Sequence, residues 1–284
     1  MFSSPKDAFK LRNGVEIPCV GFGTYLTPDG DTCVNSVKEA LLAGYRHIDT
    51  AEFYANEESV GKALAESGIS RDEVFVTTKL WNTNQGYDSA LRHFEMSVKK
   101  LGLDTVDLYL IHWPMAKDFV ADYPRTLLDT WRAFERLYEE GRVRAIGVCN
   151  CLKHHLKVII DNSKVAPMVN QIEFHAGLVQ KEAEEFSKLN GVVVEAWAPL
   201  CRGRAFGNTV LESIAAKHGK TQAQVLVRWC LDKGVLPLPK SVTPSRIREN
   251  VDVFDFALSA DEIAAIETIE GVGRIGSNPD DAKY

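Results

Sequence analysis

The feature that most narrows the choice of fold is a repetition. Eight times along the chain a short, nearly continuous apolar run is followed by an amphipathic stretch. CVGFG precedes TCVNSVKEALLAG, HIDT precedes ESVGKALAESG, VFVTTKL precedes YDSALRHFEMSVKKLG, and VDLYLIHW precedes TLLDTWRAFERLYEEG. VRAIGVCN then precedes LKHHLKVIIDN, MVNQIEF precedes KEAEEFSKLNG, VVVEAWAPL precedes NTVLESIAAKHG, and VLPLPK precedes SRIRENVDVF. Apolar runs without alternation suit parallel strands buried on both faces. The stretches between them suit helices that stop at left-handed glycines, here Gly44, Gly68, Gly102, Gly141, Gly191 and Gly219. Right-handed crossovers with short loops close at eight such units, so the expected fold is α/β, a (β/α)8 TIM barrel formed as one domain by residues 1–284. FKLRNGVEIP in front of it predicts a β-hairpin with a two-residue turn at Asn13-Gly14.

The competing architecture is an open doubly wound sheet, which would carry a glycine-rich phosphate loop after its first strand. Gly21-Phe22-Gly23-Thr24 follows the first apolar run, but no third glycine opens a helix in the required place. At 45% hydrophobic and 25% charged residues the chain can bury a large core. A net charge of −6 argues against nucleic acid or an anionic membrane as partner, so any bound anion needs a local basic site. No run of about 18 apolar residues is present and the first residues lack a signal-peptide core, which predicts a cytoplasmic protein. Monomer is the expected state, because no long apolar helix face stands out. Cys19, Cys33, Cys149, Cys151, Cys201 and Cys230 show no metal-binding spacing and read as reduced, buried thiols. No metal is expected.

In a barrel, chemistry sits on the loops at the C-terminal ends of the strands. That rule picks out Asp49 and Tyr54 after the second strand, Lys79 at the end of the third, and His112 at the end of the fourth. Singly each has an ordinary reading: a capping carboxylate, a surface aromatic, a solvated lysine, a core histidine. Their convergence on three neighbouring strand ends is what makes them a candidate site. A cation near a phenol favours the phenolate and lowers its pKa from about 10. Lys79 could supply that cation, with Asp49 holding it charged, so that Tyr54 donates a proton to a carbonyl oxygen. His112 could orient that oxygen. No nucleophile or metal belongs to the set, so electrons must come from a cofactor. At the eighth strand LPKSVTPSRIREN places Lys240 and Ser241 at the strand end, with Arg246 in the first turn of the next helix. A phosphate site is expected there, and a ribose 2′-phosphate would account for two cations.

HIDTAEFYANEESVGKAL, VFVTTKLWN, DLYLIHWP, AIGVCN, VNQIEFH, AWAPL and LPKSVTPSRIREN, in this order over nearly the whole chain, resemble the aldo-keto reductases. The likeness is greatest to the branch of 2,5-diketo-D-gluconate reductases and prostaglandin F synthases. The resemblance implies a catalytic tetrad of Asp49, Tyr54, Lys79 and His112, with Tyr54 as proton donor. It implies NADPH/NADP+ as cofactor, bound extended across the strand ends, and reduction of small aldehydes, dicarbonyls, keto sugars or acids, or prostaglandin-like ketones. Asn150 and Gln171 would hold the carboxamide, and Trp197 would stack on the nicotinamide. Gly23, Thr24, Tyr25 and Asp49 would lie near its ribose, and Ala198 and Leu200 near the pyrophosphate. Lys240, Ser241, Val242, Thr243 and Arg246 would take the 2′-phosphate, and Glu249 and Asn250 the adenine. Tyr25, Phe53, Trp81, His112 and Trp113 would line a partly aromatic substrate pocket, with the segment AKDFVADYP above it.

Three departures from the family pattern bear on cofactor binding: Cys149-Asn150-Cys151 where Ser-Asn-Phe is usual, Ala198 in place of serine, and Arg202 and Arg204 in the following loop. Two alternatives remain beside the reductase: a barrel aldolase with Lys79 as Schiff-base amine, against which Asp49 argues by keeping the lysine charged, and a nucleotide-binding protein without activity.

Overall fold

The computed structural model describes residues 2–281. Strands β1 (Ala8–Lys10) and β2 (Glu16–Pro18) pair antiparallel with Phe9 opposite Ile17, forming the expected hairpin. Its turn differs from the expected two-residue form. Gly14 N donates to Leu11 O at 2.8 Å and Leu11 N donates to Val15 O at 2.8 Å, which leaves a three-residue loop, 12–14. Gly14 takes φ +88°, the left-handed residue that ends such a loop with a bulge. The Asn13 amide donates to Arg144 O at 2.9 Å, and Ile17 is fully buried, so the hairpin packs against the barrel at the start of the fifth barrel strand.

Eight parallel strands follow: β3 (Phe22–Gly23), β4 (His47–Asp49), β5 (Phe75–Leu80), β6 (Val106–Ile111), β7 (Val143–Cys149), β8 (Val169–Glu173), β9 (Val193–Trp197) and β10 (Leu236–Leu238). Each lies beside its neighbours in chain order. The ring closes where Gly21 N donates to Pro237 O at 3.0 Å and Gly23 N donates to Pro239 O at 3.1 Å. Glycine is required at the seam: a Cβ on Gly21 would stand 2.4 Å from Leu238 Cδ2 and 2.6 Å from His47 Nδ1. Every residue of β5 and β6 is buried, as expected of parallel strands covered on both faces, including the polar Thr77, Thr78, Lys79 and Asp107.

The helices are α1 (Asp31–Leu42), α2 (Glu57–Glu66), α3 (Tyr87–Leu101), α4 (Tyr123–Glu139), α5 (Lys153–Asn162), α6 (Lys181–Leu189), α7 (Thr209–His218), α8 (Gln222–Asp232), α9 (Pro244–Val251) and α10 (Ala260–Glu267). The seventh unit departs from the sequence reading. NTVLESIAAKHG is helical, as α7, but the helix that packs on the barrel is α8, with Val225, Leu226, Val227, Trp229 and Cys230 fully buried. Helix α7 lies outside it and against α10, a helix the sequence reading did not anticipate. Thr221 and Gln224 form a capping box that starts α8: Gln224 N donates to Thr221 Oγ1 at 3.2 Å and Thr221 N to Gln224 Oε1 at 3.0 Å. The six cysteines are buried and unbonded to one another, and burial pushes the Cys19, Cys33 and Cys201 thiols up to about 12. Among the described residues no helix is long and apolar enough to cross a membrane.

Candidate active site

Asp49 is the last residue of β4, and Tyr54 follows it in a one-turn 3-10 helix, Glu52–Tyr54, that ends at a left-handed Ala55. Lys79 comes from β5, and His112 directly follows β6. The barrel brings all four to one rim. Lys79 Nζ donates to Asp49 Oδ1 at 2.7 Å, to Thr50 O at 2.9 Å and to Tyr54 Oη at 3.2 Å. Three acceptors satisfy the ammonium completely, and its side chain has no exposed surface. Burial opposes its charge, but Asp49 and the groups beside it hold Lys79 above the usual lysine range.

The phenol departs from the sequence expectation. Enclosure of the Tyr54 hydroxyl raises its pKa more than the Lys79 charge lowers it, and Asp49 and Cys149 add to the rise. Tyr54 is therefore held protonated, with the Lys79 charge offsetting part of the rise. His112 stands with its ring 5.6 Å from that of Tyr54. Burial, then the Lys79 charge, hold it well below the usual histidine range, which makes it a neutral imidazole.

Asp49, Tyr54 and His112 open onto a cavity of about 810 Å³, with Lys79 buried behind them. Asn150, directly after β7 with φ +58°, donates from Nδ2 to His112 O at 2.9 Å and accepts the Trp197 indole N–H at 2.8 Å. Gln171 on β8 donates from Nε2 to Asp49 Oδ2 at 2.9 Å and to Glu195 Oε2 at 2.9 Å. Gly23, Tyr25, Asp49, Asn150, Gln171, Trp197, Ala198, Leu200 and Lys240 all border the cavity, as do the five residues expected to meet substrate. Phe53 stacks on Trp81 with centroids 3.8 Å apart and planes 14° apart. Glu52 fixes that wall, accepting from Trp81 N at 3.1 Å, from the Asn84 amide at 3.0 Å and meeting His93 Nδ1 at 2.5 Å.

Other expected residues lie elsewhere. Thr24 is buried behind the wall, its hydroxyl donating to Asp49 O at 3.0 Å. Ser241, Val242, Thr243 and Arg246 surround the N-terminus of α9 beyond the enclosed volume, where Val242, Thr243 and Arg246 are exposed. Glu249 accepts from Thr221 Oγ1 at 2.7 Å and borders a separate shallow groove with Phe206 and Lys220, while Asn250 is buried. Residues 116–124 form a 3-10 turn and the start of α4, and those of them whose side chains are described do not border the cavity.

Its cover comes instead from the segment after α10, where residues 274–278 and Asp281 line the opening. Buried Glu173, at the end of β8, anchors that segment: it accepts from Gly276 N at 3.2 Å, Ile275 N at 2.5 Å, His175 Nε2 at 3.0 Å and Arg274 Nη1 at 3.5 Å. Cys149 and Arg202, noted in the sequence only as departures from the family pattern, border the cavity, while Glu195 behind Gln171 and this segment are not assigned by the sequence reading. Glu195 lies in the middle of β9 and residues 274–278 follow the last helix, and neither place carries a signal in the sequence. Farther along, His154 Nε2 and His155 Nε2 lie 2.8 and 3.2 Å from Asp280 Oδ1. Leu152 N donates to His155 Nδ1 at 3.2 Å, which keeps the neutral ring's proton on Nε2, and it is His154 Nε2 that hydrogen-bonds Asp280.

The chemistry of the donors fits an extended nicotinamide dinucleotide. The cavity offers an aromatic face at Trp197, two amides, a stretch of bare backbone at Gly23 and a cation at Lys240. Comparison with known proteins points the same way. Residues 20–270 match the Aldo/keto reductase family. The chain is 48% identical over 284 residues to glyoxal reductase of Bacillus subtilis (strain 168), covering 100% of both chains. An aldo-keto reductase from a Medee basin deep-sea metagenome library superposes with TM-score 0.92 at 44% identity, over 98% of this chain and 100% of that one. A Gox0644 mutant in complex with NADPH superposes with TM-score 0.91 at 42% identity, over 98% and 99%. With its tetrad-like cluster at the barrel rim, the chain belongs to the aldo/keto reductase family.

Proposed function

We propose that this protein reduces aldehydes and ketones to alcohols with NADPH, with Tyr54 giving the proton. The observation that carries the reading is the Lys79 ammonium, enclosed between Asp49 at 2.7 Å and the Tyr54 hydroxyl at 3.2 Å. When bound, the nicotinamide supplies a hydride to the carbonyl carbon. The chain's own groups serve the oxygen. Tyr54 Oη and the neutral His112 ring face the same space, so an oxygen placed between them would receive two hydrogen bonds. As negative charge grows on that oxygen, Tyr54 passes over its proton, and Lys79 stabilises the phenolate left behind. Asp49 keeps the lysine fixed and charged. Trp197, Asn150 and Gln171 would seat the nicotinamide, and Lys240 with Ser241 and Arg246 would hold the 2′-phosphate.

The aromatic wall of Phe53, Trp81 and Trp113 leaves room for small carbonyl compounds. Dicarbonyls are the class we favour, supported by the relative named as a glyoxal reductase. The aldolase reading has little support, since an ammonium with three hydrogen bonds and no exposed surface is poorly placed to become a free amine. Turnover of NADPH with methylglyoxal, phenylglyoxal and simple aldehydes tests the assignment. Tyr54→Phe should retain NADPH binding, followed by quenching of protein fluorescence, and lose about 10²–10⁴-fold in turnover. Wild-type turnover by that variant overturns the role of Tyr54.

A further inference from the structure

Beneath the Tyr54–Lys79–Asp49 cluster lies a second carboxyl group that the reaction does not use directly. Glu195 is on β9, in register with Gln171 on β8, and has no exposed surface. Its Oε2 accepts from Gln171 Nε2 at 2.9 Å, and the same nitrogen donates to Asp49 Oδ2 at 2.9 Å. A side-chain amide nitrogen carries two protons, so these two carboxyl groups use both. With the Glu195 proton on Oε1, which is unpartnered among the described residues, Oε2 remains an acceptor, and the opposite flip of the amide would set its oxygen against Glu195 Oε2 and the Asp49 carboxylate. The arrangement therefore leaves Gln171 Oε1 as the group available to the cavity, and that group is an acceptor.

Asn150 is set the other way. Its Oδ1 is occupied by the Trp197 indole and one Nδ2 proton by His112 O, so the remaining Nδ2 proton is its available group. An acceptor on one residue and a donor on the other match a primary amide, which offers NH₂ on one side and a carbonyl oxygen on the other. They do not match a carboxylate, which would bring an oxygen against Gln171 Oε1.

We propose that Glu195 is a positioning residue that fixes the flip of the Gln171 amide and thereby makes the site select a dinucleotide bearing a carboxamide over one bearing a carboxylate. This inference rests on the reading that Gln171 meets the nicotinamide carboxamide. Glu195 touches neither cofactor nor substrate and acts through Gln171. Its surroundings support a fixing role: Asp49 from β4, Lys79 from β5 and Cys149 from β7 are the charged and titratable groups acting on it, and its Oε1 has no hydrogen bond among the described residues.

Dissociation constants for NADPH and for its reduced nicotinic acid analogue, measured by fluorescence quenching, test the proposal without relying on turnover. Wild type should prefer NADPH. In Glu195→Met the preference should fall at least about tenfold, with kcat at saturating NADPH changing far less than KM, and Glu195→Gln, which still offers Gln171 an acceptor, should recover it. In a Gln171→Leu background, Glu195→Met should add no further loss. A folded Glu195→Met with wild-type preference overturns the proposal, and so does an additive effect in that background. If Glu195→Met does not fold, Glu195→Asp, whose carboxyl is withdrawn by one methylene, should still lower the preference, and an unchanged preference there counts against it equally. Wild-type protein that oxidises NADPH with no carbonyl compound sinks the reductase reading, whereas active wild type with an indifferent Glu195 sinks only this inference.

Discussion

Lys79 and Asp49 form an ion pair at 2.7 Å in which the lysine side chain is 0% and the aspartate 4% exposed. An enclosed pair of this kind adds little net stability compared with apolar residues, because both charges lose their water. Removing one partner is a different matter, since the other is left charged in a site that cannot solvate it. The Lys79 ammonium thus has two roles, one toward Tyr54 and one toward Asp49, and they can be separated.

Lys79→Met should destabilise the fold by about 3–5 kcal/mol in urea denaturation, because the Asp49 carboxylate then lacks its counter-charge. Adding Asp49→Asn should recover a large part of that loss without restoring turnover. Equal destabilisation in the single and double variants would show that the pair is not coupled in the way its geometry requires.

Gly276 lies against the ring of Trp197: a Cβ there would stand 2.5 Å from Cη2, and 3.4 Å from Glu173 Oε2. Gly276→Val must therefore move the segment or the indole. We expect weaker NADPH binding by about tenfold or more, equivalent to about 1.4 kcal/mol, with unfolding changed by no more than the cost of overpacking, about 1–3 kcal/mol. Isothermal titration with NADPH, paired with a melting curve, checks both halves.

Glu195 gives the pH dependence a definite sign. Burial, then the charge of Asp49, push its carboxyl from 4.5 up to about 8. The folded chain therefore keeps a proton that the unfolded chain has released, so this residue's contribution is fully present below its unfolded value and is lost as pH rises through about 8. Glu195→Gln cannot titrate. Its stability relative to wild type should rise across that interval and level off above it, as measured by denaturant midpoints in a pH series. A difference that stays flat would show that Glu195 is ionised throughout.

The parts of this architecture that the sequence disclosed are those fixed by local pattern. Strands buried on two faces, such as VDLYLIHW, announce themselves as apolar runs, and the end of each run names a rim residue, which is how Asp49, Lys79 and His112 came to be grouped. Helix α8 is masked in the sequence because NTVLESIAAKHG ends at a glycine cap and fills the place of the seventh helix, although the Thr221–Gln224 capping box marks its start. The rise in the Tyr54 pKa is not legible in the sequence, because the neighbouring charge is visible there and desolvation is not. Glu195 and Glu173 are inward-facing residues of strands, and nothing in a linear pattern says which carboxylates across a barrel will share a donor. The segment 274–278 has no periodicity, and its place over the cavity depends on Glu173, about a hundred positions away.

The join between β3 and β10 has a wider bearing. Like a cask, the cylinder holds only while its first and last staves touch, and here that touch is the pair of amide–carbonyl bonds from Gly21 and Gly23. Gly23 and Lys240, one from each side of the join, both face the cavity, so a dinucleotide laid between them would act as a hoop. Loading it should slow hydrogen exchange at those two amides before it does so elsewhere, tying the integrity of the whole cylinder to the supply of reductant.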